Sequence, residues 1–248
     1  MPETVINGCR HHWEEAGAGA PLVMLHGASS SSVALAEAAA ELSRTYRVIT
    51  PDMRGMGRSE RVETMPPSAW VDDLVALLDR LDLGEVHLYG YTVGARVAQR
   101  LAIDHADRVS TLILDSPIVY NEPEAQQNIA SQFDVSSIPD KRKERFRVMH
   151  GDDWEVAVSN YHRVRAQPDL QAYLDLRELI GRISAPTMIM RGDARGGGYT
   201  ADHAFMLYRA VAGAQLWIRP DTAAVLIQSA LEETCLQIDR FISQAKAS

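Results

Sequence analysis

Short apolar runs alternate along the chain with stretches where apolar residues recur every three or four positions. The runs are "PLVMLHG" (21–27), "YRVITPD" (46–52), "VHLYG" (86–90), "STLILDSP" (110–117), "TMIMRGD" (187–193) and "QLWIRPD" (215–221). Continuous apolar runs of this length suit parallel strands buried on both faces. Between them lie helical patterns, among them "SVALAEAAAELS", "SAWVDDLVALLDRL", "GARVAQRLAIDH", "ADHAFMLYRAVAG" and "LEETCLQIDRFISQA". In the second, Trp70, Val71, Leu74, Val75, Leu77, Leu78 and Leu81 trace one helical face. Ahead of all this, "TVINGCRHHWEEAG" alternates and turns like a β-hairpin. Strand–helix alternation predicts a doubly wound, mostly parallel α/β sheet.

One segment breaks the rhythm. Residues 120–184 contain no strand pattern; they are helical and charged, with Phe133, Phe146, Trp154, Tyr161 and Tyr173 scattered through them. The predicted organisation is a core of residues 1–119 and 185–248 interrupted by a helical lid over 120–184. An insertion at that point sits above the carboxyl ends of the strands, where open α/β sheets bind ligands.

Composition narrows the partners. A chain of 248 residues with net charge −8 is not a generic nucleic-acid binder. The basic run "KRKER" (141–145) reads as a solvated helix face. No stretch of about 18 apolar residues is present, so no membrane span is expected. The opening "MPETVINGCR" lacks the apolar centre of a signal peptide. Cys9 and Cys235 have no metal or redox spacing and read as reduced, buried thiols, so the expectation is a cytoplasmic protein. No phosphate-binding loop and no metal-ligand spacing is present, and no cofactor is expected.

Five motifs, in the right order, resemble those of the α/β-hydrolase fold, in the flavour of enol-lactonases and small carbon–carbon-bond hydrolases. "VMLHG" resembles the oxyanion-loop strand, and "PDMRGMGRSE" the D-x-R-G-x-G-x-S segment, with Met56 where a histidine is common. "YGYTVGAR" resembles the nucleophile elbow G-x-S-x-G, and "ISAPTMIMRGD" and "GAQLWIRPD" the strands that carry the acid and the base. The resemblance implies a Ser-His-acid triad, yet each triad position differs. Thr92 stands at the nucleophile, Arg195 at the acid and Ala224 at the base. A threonine hydroxyl can attack, but its extra methyl stiffens χ1. Asp115, after the preceding strand, is a candidate replacement acid, with a turn carboxylate as the plainer alternative. His203 reads as an exposed residue in the first turn of a helix, and His87 as a hydrogen-bonded core residue.

The same resemblance implies an oxyanion hole from the backbone N–H groups of Ala28 and Val93, which survive side-chain replacement. His26, Ser29 and Tyr91 are candidate contacts beside it. His26 has a plainer role bracing the loop, and Tyr91 one of packing behind the elbow. From the lid, Trp154 and Tyr161 are candidate substrate contacts, with His150 and His162 as weaker ones. "RGGGYT" (195–200) is either an adapted entry loop or a slack one.

Thr92, His26 and Asp115 are thus the candidate catalytic residues. The expected activity is a cofactor-independent, non-hydrolytic step on a partly apolar carbonyl compound: a cyclisation, isomerisation or lyase-type reaction. The alternatives are a non-catalytic ligand-binding protein and a weak esterase or lactonase using Thr92. Removing a triad lowers turnover on the order of 10⁶-fold. The combined change Thr92→Ser, Arg195→Asp and Ala224→His is therefore expected to restore esterase activity. Hydrolysis of 4-nitrophenyl acetate measures it, and a folded triple variant with no gain counts against these three assignments.

Overall fold

The computed structural model describes residues 3–122, 133–194 and 200–245. Asn7 and Gly8, both at positive φ, turn β1 (Glu3–Ile6) back into β2 (Cys9–Ala16), as a two-residue hairpin requires. Strands and helices then alternate: β3 (Pro21–Leu25), α1 (Ala36–Leu42), β4 (Arg47–Pro51), α2 (Ala69–Arg80), β5 (Val86–Tyr91), α3 (Val93–Asp104) and β6 (Val109–Asp115). After β6 come α4 (Asp140–His150), α5 (Trp154–Arg165) and α6 (Pro168–Tyr173), with no strand among the described residues of this stretch. The chain returns through β7 (Thr187–Gly192), α7 (Asp202–Ala210), β8 (Gln215–Arg219), α8 (Leu226–Ser229) and α9 (Leu231–Ala245).

Among the described residues the sheet has eight strands in the order β1-β2-β4-β3-β5-β6-β7-β8. β1–β2 and β2–β4 pair antiparallel and every other pair is parallel. Every residue of β5 and β7 is buried, as their apolar runs predict. β8 departs from that expectation: none of its five residues is fully buried, because it forms the sheet's edge. Trp70, Leu74 and Leu101 from α2 and α3 fill the core on one face of the sheet, while Leu42, Ile238 and Ile242 from α1 and α9 fill the other. Phe146, Trp154, Tyr161 and Leu170 of α4–α6 join the first of these cores, so the helices after β6 are packed onto the sheet's own interior. Within "KRKER", Lys141, Glu144 and Arg145 are exposed, as a solvated face should be. Cys9 and Cys235 are both buried and unbridged.

The turn from β5 into α3 is the tightest feature of the chain. Thr92 sits there at φ 49° and ψ −111°, in the left-handed half of the map that a β-branched residue enters only when its surroundings impose it. The helix leaves the strand so sharply that it grazes the next strand's end. A Cβ on Gly94 would lie 2.5 Å from the Leu25 carbonyl oxygen, and one on Gly90 would strike the Gly94 carbonyl. Backbone on both sides cannot yield. Gly94→Ala is therefore expected to destabilise the fold by about 2 kcal/mol or more, through overpacking against backbone. In a chain of this size that lowers Tm by roughly 4 °C or more, read by thermal unfolding.

Candidate active site

The site lies where the end of β3, the elbow and the helices after β6 meet. The loop after β3 passes directly against the elbow: a Cβ on Gly27 would stand 2.5 Å from Thr92 Oγ1 and would collide with the Tyr91 ring. Only glycine lets the Gly27–Ala28 backbone come so near the threonine hydroxyl. Ala28, Thr92 and Val93 then line one cavity of about 140 Å³. Val93 opens α3, so its N–H is among the first-turn donors that have no partner inside the helix. Thr92 donates its own N–H to the Asp115 carbonyl, 3.1 Å away, and its carbonyl accepts from Arg96 N–H, which starts the helical ladder.

The remaining walls come from four places. α2 supplies Trp70, and the strand-β6 exit supplies Ile118 and Asn121. Phe133, Tyr161, Arg165, Leu170, Gln171 and Leu174 come from the region after β6, and Arg96 from α3. Tyr161, a candidate contact from sequence, lines the cavity and is set edge-to-face against Phe133 at 5.3 Å. Arg96, Arg165 and Gln171 were not singled out from sequence. Arg96 carries a usable signal: it follows Thr92 by four residues, so the two share a helical face. Arg165 and Gln171 carry none, because only packing aims α5 and α6 at the elbow.

Other candidates lie elsewhere. His26 is wholly buried and does not line the cavity. Its Nδ1 donates to the Gly27 carbonyl at 2.9 Å, and its Nε2 accepts from Met53 N–H at 3.0 Å. Burial lowers its pKa, which fits the neutral ring these partners demand. With both nitrogens committed to backbone, His26 braces the loop and is no proton shuttle. Trp154 stacks on Phe146 at 5.9 Å and also stays out of the cavity, so it is a packing residue and no ligand contact. Tyr91 packs behind the elbow with its hydroxyl 2.8 Å from Ser30 Oγ. Ser29, at φ 43°, is buried and does not line the cavity. Of the histidines after β6, His150 is buried with Nδ1 accepting from Gly57 N–H at 3.0 Å, and burial pushes its pKa down to about 4. Neither it nor His162 lines the cavity. His203 is not exposed; it is fully buried, with Nδ1 3.3 Å from Val119 N and Nε2 3.1 Å from Glu122 Oε1. His87 pairs with Thr111 Oγ1 at 2.9 Å in the core, as expected.

Asp115 is also redirected. Its carboxylate accepts from Leu226 N–H at 3.0 Å, Ile227 N–H at 2.9 Å and the Tyr89 hydroxyl at 2.9 Å. It anchors α8 and does not reach the cavity. Ala224 lies just before α8, its carbonyl accepting from Gly192 N–H at 3.0 Å and from Ser116 Oγ. Arg195, and all but the last residue of "RGGGYT", lie outside the described residues.

A second buried carboxylate shapes the loop after β3. Asp52 accepts from Ser32 N–H at 2.6 Å, Arg58 N–H at 2.8 Å and His12 Nδ1 at 3.0 Å. Burial works to raise its pKa; the bond from His12 and the two amides outweigh burial and hold it below the usual carboxylate range. Among the described residues no cluster of three or more His, Cys, Asp or Glu is placed to hold a metal ion, and no helix is long and apolar enough to cross a membrane.

The chain matches the family of the alpha/beta hydrolase fold over residues 20–146, just over half its length, and belongs to that family. It is 38% identical over 117 residues to a 2-hydroxymuconate semialdehyde hydrolase of Pseudomonas sp. (strain CF600), a match that spans 45% of this chain and 41% of that enzyme. Its fold overlays the enol-lactonase from Burkholderia xenovorans LB400 with a TM-score of 0.79 at 22% identity, over 98% of this chain and all of the other. A meta-cleavage product hydrolase from Pseudomonas fluorescens IP01 gives a TM-score of 0.82 at 18% identity, over 99% and 98% of the two chains. The relatives matched by sequence at 38% and 36% identity are named as hydrolases, a 2-hydroxymuconate semialdehyde hydrolase and a 2-hydroxy-6-oxo-2,4-heptadienoate hydrolase. They overturn the expectation of a cyclase, isomerase or lyase, and equally that of a non-catalytic binding protein.

The Asp115 anchor makes a prediction. Burial pushes its pKa up to about 6, against the pull of the two α8 amides and Tyr89. The folded carboxyl then binds a proton that the unfolded one, near 3.8, has released. Its contribution to stability is therefore full below the unfolded value and fades as pH rises through about 6. Asp115→Asn removes that dependence and also turns an amide N–H₂ toward an N–H or O–H donor. Urea unfolding should find the variant less stable by about 1–3 kcal/mol. Between about pH 7.5 and pH 5 the wild type should gain about 1 kcal/mol relative to it.

Proposed function

We propose that the protein is a hydrolase of small, partly apolar esters or lactones, with Thr92 as nucleophile and the Ala28 and Val93 amides as the oxyanion hole. The observation that carries this reading is the strained elbow: it holds Thr92 at positive φ on the wall of a cavity that Ala28 and Val93 share. Strain of this kind, of order 1–3 kcal/mol, persists where surrounding structure imposes it. The same turn makes Val93 the first residue of α3, which adds the positive end of a helix to the donor set.

In this reading Thr92 Oγ1 attacks the carbonyl carbon, and the carbonyl electron pair moves onto the oxygen facing the two amides. Collapse of the adduct expels the alcohol or enol and leaves an acyl-threonine, which water hydrolyses. Among the described residues no histidine hydrogen-bonds Thr92, so its proton passes to water or to the departing oxygen. With Ala224 at the base position, no side chain there protonates a leaving group. That restricts useful turnover to acyl groups whose leaving oxygen is already a good one, such as enol and aryl esters and strained lactones. Rate then comes from orientation and from electrostatic stabilisation of the oxyanion; one such donor is worth about 10²–10³ in kcat.

The test is hydrolysis of 4-nitrophenyl acetate and of an aryl lactone, with intact-mass analysis of the protein. Thr92→Ala should lower kcat/KM at least about tenfold, and Thr92→Ser, which removes the hindering methyl, should raise it. An acyl mass increment should appear on the wild type and be absent from Thr92→Ala. Hydrolysis no faster than in buffer, or unchanged in Thr92→Ala with no adduct, overturns the reading.

A further inference from the structure

Of the three helices between β6 and β7, the shortest closes one side of the cavity. α6 has six residues and contributes Leu170, Gln171 and, just past its end, Leu174 to the wall. So few residues do not hold a helix by their own hydrogen bonds. The last carbonyls of any helix also lack partners within it. The position of α6, and with it this part of the wall, is therefore set by the groups that grip it from outside.

On one side, Gln171 Nε2 donates to the Arg165 carbonyl at 3.1 Å, which ties α6 to the end of α5. At its C-terminal end two arginines of α3 take hold. Arg96 and Arg100 stand four residues apart and so share one face of that helix. Arg96 Nε donates to the Leu174 carbonyl, and Arg100 Nη1 to the Tyr173 carbonyl at 2.9 Å. A cation placed there also meets the negative end of the α6 dipole. Arg96 lines the cavity, whereas Arg100 does not. Arg100 is itself fixed from two directions. Its Nε donates to Asp104 Oδ2 at 2.6 Å, one turn further along α3, and its guanidinium lies 4.0 Å from the centre of the Tyr173 ring. The Tyr173 hydroxyl completes the cluster by donating to the same Asp104 oxygen at 3.2 Å. Arg100, Asp104 and Tyr173 thus form a closed clasp between α3 and the end of α6, behind the wall and outside the cavity.

We infer that Arg100 is a positioning residue for substrate specificity: with Asp104 and Tyr173 it fixes α6, so that Leu170 and Leu174 pack against an apolar acyl chain of the substrate. That the chain belongs to an acyl group rests on the hydrolase reading; that an apolar chain packs against α6 rests on the cavity alone. Burial of one methylene is worth about fourfold in affinity. Release of α6 that strips the contact of a single methylene is therefore measurable, with no group at the elbow altered.

Hexanamide is neutral and probes the chain-binding step without turnover. Calorimetric titration of the full chain should show saturable binding, and Arg100→Gln should raise Kd at least about threefold. Arg100→Lys keeps the charge and one donor for the helix end, and should bind hexanamide more tightly than Arg100→Gln does. Arg108→Gln is the control. Arg108 follows α3 and serves the Leu83 and Gly84 carbonyls and Asp79, so its loss should leave Kd within about threefold of wild type. Should Arg100→Gln not fold, Asp104→Asn, which loosens the grip on Arg100, is judged by the same limit. With 4-nitrophenyl hexanoate as substrate, Arg100→Gln should raise KM at least about threefold while kcat stays within about twofold. The inference is overturned by a wild type without saturable hexanamide binding, by a Kd in Arg100→Gln within about threefold of wild type, or by Arg108→Gln weakening binding as much. Arg100→Lys binding no more tightly than Arg100→Gln, or a loss that falls on kcat with KM unchanged, overturns it too. A wild type that binds hexanamide yet leaves the ester intact removes the hydrolase reading alone, and the hexanamide titrations still decide the role of Arg100.

Discussion

The close passage of backbone at the β5–α3 elbow is the constraint on which the site depends. Gly90 and Gly94 let the helix leave the strand almost on top of itself, and Gly27 lets the loop after β3 lie against Thr92 Oγ1. A methyl group at any of these three positions meets atoms of the neighbouring turn. Because they are bare, two chain segments far apart in sequence bring Ala28, Thr92 and Val93 to one surface. The positive φ of Thr92 sits at the apex of that tight turn.

Behind this surface the ionisable groups are spent on holding backbone in place. His26 ties Gly27 to Met53, Asp52 ties Ser32 to Arg58, and Asp115 ties the start of α8 to β6. Each is buried, and each has its polar atoms aimed at main-chain partners. A buried ionisable group is tolerated only when it is bonded in this way, and once bonded it has little left to offer a substrate. This explains why residues chosen for their chemistry in the sequence turn out to be structural, and why the cavity itself holds a threonine, amides and two arginines.

That division bears on the mechanism proposed above. An oxyanion hole made of main-chain amides would not depend on which side chains surround it, whereas a general base would, and the proposed chemistry leans on orientation and amide donors for that reason.

The apolar runs and helical periodicities, with the Asn7-Gly8 turn, were enough to determine the order of strands and helices and the elbow itself, because these are local patterns with periods of two and 3.6 residues. The same patterns misjudged β8, whose run is as apolar as the others but lies at an edge; edge position is a property of strand order, which no single run encodes. Of the candidates named from sequence, Ala28, Thr92, Val93 and Tyr161 line the cavity; the first three lie in or beside turns with a local sequence signal, whereas nothing local marks Tyr161 out from the other aromatics. Tertiary structure alone decided that His203 is buried, that Trp154 stacks on Phe146, that His26 and Asp115 serve the main chain, and that Arg96 and Arg165 face the cavity. The reason is common to all of them. A side chain's role depends on which partners reach it, and those partners lie tens of residues away along the chain.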